Sequence, residues 1–314
     1  MTGEKPAQFT SSQLTSSQFK RGLICILLGT CCFAAKGILI KLAYRYGITA
    51  SPLLMLRMLF ALPFYAGVAI WLQTQAQSKL TRTEIWQIIG LGLLSYYVSS
   101  MFDFMGLQYI SAGLERLILY VYPTLVLLIL AFVKHQKISA IEKLSLAIAY
   151  SGMLLVFIHD IKLSSSWQTT SLGSGLVFLS TITFAIFVVL AGDIIPRVGS
   201  LRFTAYGMLS ACVGVIIHNL AVEDIATIHQ PLPVYGLALM LAVFCTVIPS
   251  FLMNEGIRII GSGRAAILGV FGPIVTLFLG ALVLSEAIGA IQLVGAALVI
   301  GGVILASRKP KLKS

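Results

Sequence analysis

The chain has 314 residues, of which 58% are hydrophobic and only 11% are charged, and its mean hydropathy is +0.96. Soluble domains have about 25% charged residues, so this composition excludes a soluble fold and indicates an integral membrane protein. The net charge of +11 would suit a nucleic-acid-binding protein, but the apolar stretches described next leave no room for a separate basic domain.

The chain begins with a polar segment, residues 1–20, whose Ser, Thr and Gln content predicts a disordered tail. Apolar stretches of about 20 residues then recur between short polar breaks, and each is long enough to cross a hydrocarbon core ~30 Å thick. The first stretch is long and others follow it, so it is predicted to stay as a helix and not to be a cleaved signal peptide. The predicted helices are 22–42, 52–72, 86–108, 113–133, 140–158, 172–192, 202–220, 234–256, 264–284 and 288–306.

The basic residues are unevenly distributed between alternate loops. If the N-terminus is cytoplasmic, sixteen of the 22 Lys and Arg residues fall in segments on the inside and four in segments on the outside. This bias predicts an inner-membrane protein with both termini in the cytoplasm, ending in a basic tail at 308–314. The positive charge is then explained by orientation in the membrane, and no nucleic-acid partner is expected.

The two halves of the chain resemble each other at a fixed offset of 150 residues. Residues 106–133 match residues 256–283 without a gap, and two glycines and the proline coincide. The coinciding pairs are Gly106 with Gly256, Gly113 with Gly263, and Pro123 with Pro273. The repeat predicts one five-helix unit at 21–158 and a second at 172–307, joined by a linker at 159–171.

An odd number of helices in each unit places the second unit upside down relative to the first. Inverted repeats of this kind form many secondary transporters, because related halves of opposite orientation can exchange conformations. The sequence therefore predicts an all-α membrane fold, in which ten transmembrane helices form two inverted five-helix repeats around a central cavity.

Several segments are distinctive: "GTCCFAAKGILIKLAYRYG", the following "LLMLRMLFALP" with Arg57, the mid-helix Pro123 and Pro273, and "LVLSEAIGAIQLVGAALVIGGVIL" near the end. In these segments the sequence resembles the drug/metabolite transporter superfamily, in particular its EamA-like members. The resemblance implies a bundle of two inverted five-helix repeats and the export of amino acids, metabolites or drugs. The family commonly has a glutamate after helices 4 and 9, and Glu286 supplies only the second, because Gln136 stands near the first position.

Five charged residues lie within or at the ends of predicted helices 1 to 4. Lys36, Arg57 and Asp103 share one predicted depth, about 9 Å below the outer boundary, and Glu115 and Arg116 begin helix 4 slightly nearer the surface. Charges inside a membrane usually face the bundle interior and pair, so Lys36 or Arg57 is predicted to pair with Asp103. Such a cluster would line an outer vestibule, bind an anionic group or form an outer gate. The alternatives are that the pairs only hold helices together, or that each side chain reaches water separately.

A second polar set, Asn254, Glu255, Arg258 and Arg264, lies at the predicted cytoplasmic ends of helices 8 and 9 and is a candidate inner gate. Ordinary positive-inside flanking explains Arg258 and Arg264 equally well. Asp103 and Glu255 are candidates for proton coupling.

Pro123 and Pro273 fall near the middle of predicted spans and cannot donate a backbone hydrogen bond, so the carbonyls of Leu119 and Gly269 would be left free. Free carbonyls at this depth are tolerated where they line a cavity, and a simple packing kink is the alternative. Candidates for the cavity lining are Tyr97, Tyr120 and Tyr122.

Other activities lack a sequence signal. The chain has no phosphate-binding P-loop, so transport would use a gradient or be passive. No Cys or His spacing suggests a metal site, no cofactor is expected, and no catalytic residue is assigned because the loops are short. The predicted function is export of small metabolites by alternating access. A passive facilitator or exchanger of phosphorylated or anionic metabolites is the alternative and a membrane-embedded enzyme is less favoured, while the oligomeric state stays open.

Overall fold

The protein is a bundle of helices. The computed structural model describes residues 16–75, 80–133, 140–163, 166–260, 272–285 and 289–306, and these residues contain no β-strand. The helices of the first half are α1 (Ser16–Ala34), α2 (Lys36–Tyr44), α3 (Ala50–Thr74), α4 (Arg82–Gly92), α5 (Ser100–Leu107), α6 (Ala112–Leu119), α7 (Tyr122–Val133) and α8 (Ala140–Leu163).

The helices of the second half follow the same order. They are α9 (Trp167–Val198), α10 (Ser200–Val222), α11 (Leu232–Ala242), α12 (Ile248–Ile260), α13 (Gly272–Leu279) and α14 (Ala290–Ala306). Short π-helical segments, which are frequent near functional sites, join or extend some of them. These segments are Leu93–Ser99 between α4 and α5, Val243–Val247 between α11 and α12, and Gly280–Leu284 after α13.

Six helical stretches among the described residues are long and apolar enough to cross a membrane. Large apolar side chains on the outside of the bundle, such as Trp86 and Leu232, are exposed, as expected of a surface that faces lipid. The stretches are Ser17–Tyr44, Ala50–Thr74, Arg82–Leu107, Trp167–Val198, Ser200–Val222 and Leu232–Ile260. Shorter apolar helices cover the remaining predicted spans in part, so the full set of ten crossings stays a prediction.

Helices begin at matching positions in the two halves of the chain. The offset of 150 residues that relates the sequences also relates the first residues of several elements. The matching starts are Ala50 and Ser200, Arg82 and Leu232, and Leu93 and Val243. The repeat detected in the sequence therefore extends to the secondary structure.

The equivalent helices α8 and α14 pack closely and antiparallel. A Cβ atom added at Gly152 would lie 2.7 Å from the Gly295 carbonyl oxygen, and one added at Gly302 would lie 2.7 Å from the Ser145 carbonyl oxygen. Later residues of α8 therefore meet earlier residues of α14, so the two helices run in opposite directions. Ser145 and Gly295 are equivalent positions, as are Gly152 and Gly302, so the contact is reciprocal, like the interface about a two-fold axis.

The equivalent helices α3 and α10 are also antiparallel. Asn219 Nδ2 donates a hydrogen bond to Ser51 Oγ at 3.0 Å, near the end of α10 and the start of α3. One to two turns along α3, the Cys212 thiol lies 3.9 Å from the Met58 sulfur. Successive positions along α3 therefore meet earlier positions along α10.

The helix is interrupted at Tyr120 and Val121, between α6 and α7, where a continuous helix was predicted. Pro123 is the second residue of α7, near a helix start, where a missing N–H group costs little. The break therefore precedes the proline. For Pro273 the corresponding effect stays a prediction, because the residues before Gly272 lie outside the described part of the chain. Gly269 and Arg264 lie outside the described residues, as does Glu286.

Candidate functional site

The first apolar stretch is broken between α1 and α2, at Ala35. Two side chains from other helices bind carbonyls that precede the break. Arg116 Nη2 of α6 donates to the Phe33 carbonyl at 2.7 Å, and Thr276 Oγ1 of α13 donates to the Ala34 carbonyl at 3.0 Å. Polar backbone groups at membrane depth need such partners, so these two bonds stabilise the break.

Lys36 is the first residue after this break and binds two carboxylates. Its Nζ lies 2.5 Å from Asp103 Oδ2 of α5 and 3.7 Å from Glu115 Oε1 of α6. The Lys36 side chain is only 14% exposed, and Asp103 and Glu115 are 1% and 0% exposed. One ammonium group therefore joins α2, α5 and α6 inside the bundle, and Lys36 does not simply reach back to water.

Arg57 has a different set of partners. Its Nη2 donates to Ser100 Oγ at 3.2 Å, and its guanidinium carbon lies 4.8 Å from the centroid of the Phe104 ring. A cation over an aromatic face at this distance is attracted by the ring quadrupole. Of the two basic residues predicted as partners of Asp103, Lys36 is the one in direct contact, and Arg57 contacts Ser100 and Phe104, which precede and follow Asp103 in α5.

The five charged residues Lys36, Arg57, Asp103, Glu115 and Arg116 form one buried group, called here the charged cluster. Arg116 Nε lies 3.7 Å from Glu115 Oε2 and completes the chain of ion pairs. Three basic and two acidic side chains give the cluster a formal charge of +1.

Hydrogen bonding in the charged cluster is incomplete. Within the part of the chain that the structure describes, Asp103 Oδ1, both Glu115 oxygens, Arg57 Nε and Arg116 Nε have no hydrogen-bond partner. Leaving buried charged groups without hydrogen bonds is costly, because neither water nor protein replaces their hydration. The cluster therefore combines an excess of positive charge with buried donors and acceptors that form no hydrogen bond among the described residues.

Two further contacts connect α2 beyond Lys36. The Tyr44 hydroxyl donates to the Phe104 carbonyl at 2.7 Å, and Arg45 Nη2 donates to the Leu284 carbonyl at 3.0 Å. The first contact adds to the link between α2 and α5, and the second joins α2 to the π-helical segment Gly280–Leu284.

Two of the three tyrosines predicted to line a cavity, Tyr97 and Tyr120, lie in different surroundings. Tyr97 is half-buried in the π-helical segment Leu93–Ser99, with its ring centroid 5.7 Å from that of His218. Tyr120 is buried at the break before α7, and its hydroxyl occupies the space next to Gly272, at the start of α13. Neither tyrosine is a member of the charged cluster, and a role in lining a cavity stays a prediction.

The second polar set forms a separate network around Glu255. Its carboxylate accepts hydrogen bonds from Arg258 at 2.7 and 2.8 Å and from Ser200 Oγ at 2.8 Å, and Arg21 lies 3.4 Å away. This network joins the starts of α1 and α10 to α12. Arg21 and Lys36 are fifteen residues apart, so the network and the charged cluster are separated by about 22 Å along the first stretch.

Asn254 is next to Glu255 in the sequence, but its side chain has different hydrogen-bond partners. Its Nδ2 donates to Thr204 Oγ1 at 2.7 Å and to the Tyr96 hydroxyl at 3.3 Å. Asn254 thereby joins α12 to α10 and to the π-helical segment Leu93–Ser99. It is buried and belongs to the packing between helices.

Sequence reasoning missed the small hydroxyl residues of the site. Thr276, Ser100 and Ser200 each bind a group at one of the two charged sites. Each is a polar residue within or at the start of an apolar stretch, and that signal was available from the sequence alone.

A cavity of about 820 Å³ lies between α3, α4 and α10. None of the residues predicted for the functional site lines it. The central cavity expected between the two repeats therefore stays a prediction, and this lateral cavity is a feature that the sequence did not indicate.

Comparison with known proteins assigns the family. A family model described as "EamA-like transporter family" matches the chain twice, at residues 20–158 and 171–308. The protein named "Uncharacterized transporter YcbK" of Bacillus subtilis (strain 168) is 34% identical, with 87% of this chain and 88% of that protein covered. "Uncharacterized transporter YyaM" of the same organism is 26% identical, covering 84% and 83%.

A solved crystal structure has a similar fold. It superposes with a TM-score of 0.65 over 95% of this chain and 99% of its own, at 15% identity, which shows a likeness of fold alone. The two matches of the family model together cover most of the chain, and the relatives cover it nearly end to end. The chain therefore belongs to the EamA-like transporter family, and it is a multi-pass membrane protein.

Proposed function

We propose that the protein is a secondary transporter that exports small metabolites, such as amino acids or related compounds, across the cytoplasmic membrane by alternating access. Ten transmembrane helices would form two inverted five-helix repeats, at 21–158 and 172–307, around a central cavity. The antiparallel packing of α8 on α14 and of α3 on α10 supports the inversion, because each pair consists of helices equivalent in the repeat. Inverted halves can exchange conformations and so open the transport path to either side.

The charged cluster carries the proposal for the site. It is buried, it has a net charge of +1, and several of its donors and acceptors lack a hydrogen-bond partner among the described residues. A substrate with a carboxylate would supply acceptors to Arg57 Nε and Arg116 Nε, and an amino group would supply donors to Glu115. Amino acids carry both groups, which is why they are the preferred class.

The two charged sites would serve as gates. With both termini in the cytoplasm, the charged cluster lies toward the outside and the Glu255 network lies toward the cytoplasm. Opening outward would separate Lys36 from Asp103, and opening inward would separate Glu255 from Ser200 and Arg21. Both sets of contacts are formed among the described residues, as this proposal expects of a state closed at both ends.

Energy would come from an ion gradient, since Asp103 and Glu255 could each take up a proton when their basic partners move away. Passive exchange of phosphorylated or anionic metabolites is the second candidate. It is favoured by the three basic residues of the charged cluster, Lys36, Arg57 and Arg116, which would suit a phosphate group.

Transport into proteoliposomes tests both candidates. Labelled amino acids and sugar phosphates are offered separately, with and without an imposed pH gradient. Uptake of an amino acid that stops when the gradient is dissipated supports the exporter, and counterflow of a sugar phosphate without any gradient supports the exchanger. Lys36→Gln should stop either activity. Lys143→Gln, an exposed lysine of α8, is the matched control and should transport normally.

A further inference from the structure

We propose that the lateral cavity between α3, α4 and α10 binds a phospholipid with an anionic head group, with one acyl chain lying inside it. The cavity has a volume of about 820 Å³, which is within the range of ~300–1,000 Å³ found for small-molecule sites. Its residues come from three of the stretches that are apolar enough to cross a membrane. This site is separate from the charged cluster, and it does not depend on the identity of the transported substrate.

The cavity wall changes from polar to apolar along its length. Gln73, Gln75 and Arg202 line one end, where α3 finishes and α10 begins. Leu93 and Ile217 line the other end, deeper along the helices. A lining with charged and amide groups at one end and aliphatic groups at the other matches a molecule with a polar head and an apolar tail.

The length of the cavity fits an acyl chain. Arg202 and Ile217 are both lining residues of α10, and fifteen residues of helix span about 22 Å. One leaflet accounts for about half of a ~30 Å hydrocarbon core. The cavity is therefore longer than one leaflet is thick, and a lipid with its head group at Arg202 has room for a whole acyl chain along α10.

The cavity is open toward the surface that faces lipid. Val213 and Ile217 on its α10 side are 49% and 62% exposed. Behind them α4 and α10 are in contact, with Ser210 Oγ 3.3 Å from the Ile89 carbonyl that accepts its hydrogen bond. The groove is thus closed toward the interior of the bundle and reachable from the bilayer.

The charge at the polar end selects an anionic head group. Arg202 lies in the first turn of α10, and Arg197 ends α9 near the same place. Glu84 is close to both, but its carboxylate already accepts hydrogen bonds from the Thr81 N–H and hydroxyl groups, at 2.8 and 2.9 Å. The net positive charge at the level of the lipid head groups attracts anionic lipid, as basic pockets between transmembrane helices do.

Native mass spectrometry of the whole protein tests the proposal. Phosphatidylglycerol and phosphatidylcholine with identical acyl chains are added to delipidated protein in detergent. One phosphatidylglycerol should stay bound, with a preference over phosphatidylcholine that falls about fivefold in Arg202→Gln, the factor expected for one basic side chain near the membrane surface. Ile217→Trp, which fills the apolar end, should lower retention of both lipids. Leu220→Trp, on the same helix and outside the lining, should not.

Three results would overturn the proposal. Equal retention of the two lipids by the unmodified protein would exclude recognition of the head group. Retention by Ile217→Trp equal to that of the unmodified protein would place the lipid outside the cavity. Stronger competition by a free fatty acid than by phosphatidylglycerol would make the occupant a fatty acid. If Ile217→Trp does not elute as a folded protein in size-exclusion chromatography, Val213→Phe fills the cavity from one turn away and replaces it.

Discussion

Lys36 Nζ lies 2.5 Å from Asp103 Oδ2, and Lys36 is also the first residue after the break that separates α1 from α2. The ion pair and the break therefore share one residue. Phe33 and Ala34, on the α1 side of the break, are bound by Arg116 and Thr276, and α2 is bound to α5 through Lys36 and Tyr44. The contacts that hold the two sides of the break thus come from different helices.

Replacing Lys36 by Met should destabilise the protein strongly. Asp103 and Glu115 would be left as two buried carboxylates without a shared cation, and removing one partner of a buried ion pair costs about 3–5 kcal/mol. Thermal unfolding in detergent measures this loss. The double variant Lys36→Met/Asp103→Leu removes both charges of the closest pair and should regain most of the stability, while transport stays absent. If the double variant transports normally, the pair serves only to hold helices together.

Arg57 should be needed for substrate binding more than for stability. Arg57→Lys keeps the charge but loses the planar guanidinium that donates to Ser100 and stacks over Phe104. We expect about tenfold weaker substrate binding, which corresponds to one lost charge-assisted hydrogen bond of ~1.4 kcal/mol. Isothermal titration with the transported compound measures it. An unchanged affinity for Arg57→Lys and for Arg57→Gln would exclude Arg57 from the site.

Thr276 should matter through its hydroxyl group. Thr276→Val has nearly the same shape and leaves the Ala34 carbonyl without its donor, at a cost of about 1–3 kcal/mol for a buried polar group. Thr276→Ser retains the donor and is the matched control. We expect Thr276→Val to lower the unfolding temperature and to slow transport, and we expect Thr276→Ser to change neither. Equal behaviour of the two variants would mean that the break at Ala35 does not depend on this bond.

Much of this arrangement follows from the sequence, and some of it does not. The apolar stretches, the repeat at an offset of 150, and the depth shared by Lys36 and Asp103 depend on periodicity and spacing, which are local properties. The break at Ala35 has no proline that would predict it, and the nearby Gly37 lies inside α2. Side chains from α6 and α13 stabilise the break, and their positions are set by tertiary packing. The choice of Lys36 over Arg57 as partner of Asp103 also depends on tertiary packing, which spacing alone cannot resolve.

The antiparallel contact between α8 and α14 gives the most direct test of the inverted repeat. In a background that lacks the five native cysteines, Ser145→Cys with Gly302→Cys, and Gly152→Cys with Gly295→Cys, should both form disulfides, since these positions meet closely. Ser145→Cys with Gly295→Cys should not, because the two positions are about 10 Å apart along an antiparallel pair.

Stability provides an independent measure of the same contact. Gly302→Leu should unfold at a lower temperature, because its side chain would meet the Ser145 carbonyl and Ala149. The matched control is Gly301→Leu, its immediate neighbour, which has open space around it and should be tolerated. Cross-linking of Ser145→Cys with Gly295→Cys, together with equal stability of the two glycine variants, would mean that α8 and α14 run parallel. Two equivalent helices that run parallel cannot belong to inverted halves, so this outcome would also remove the structural basis for alternating access.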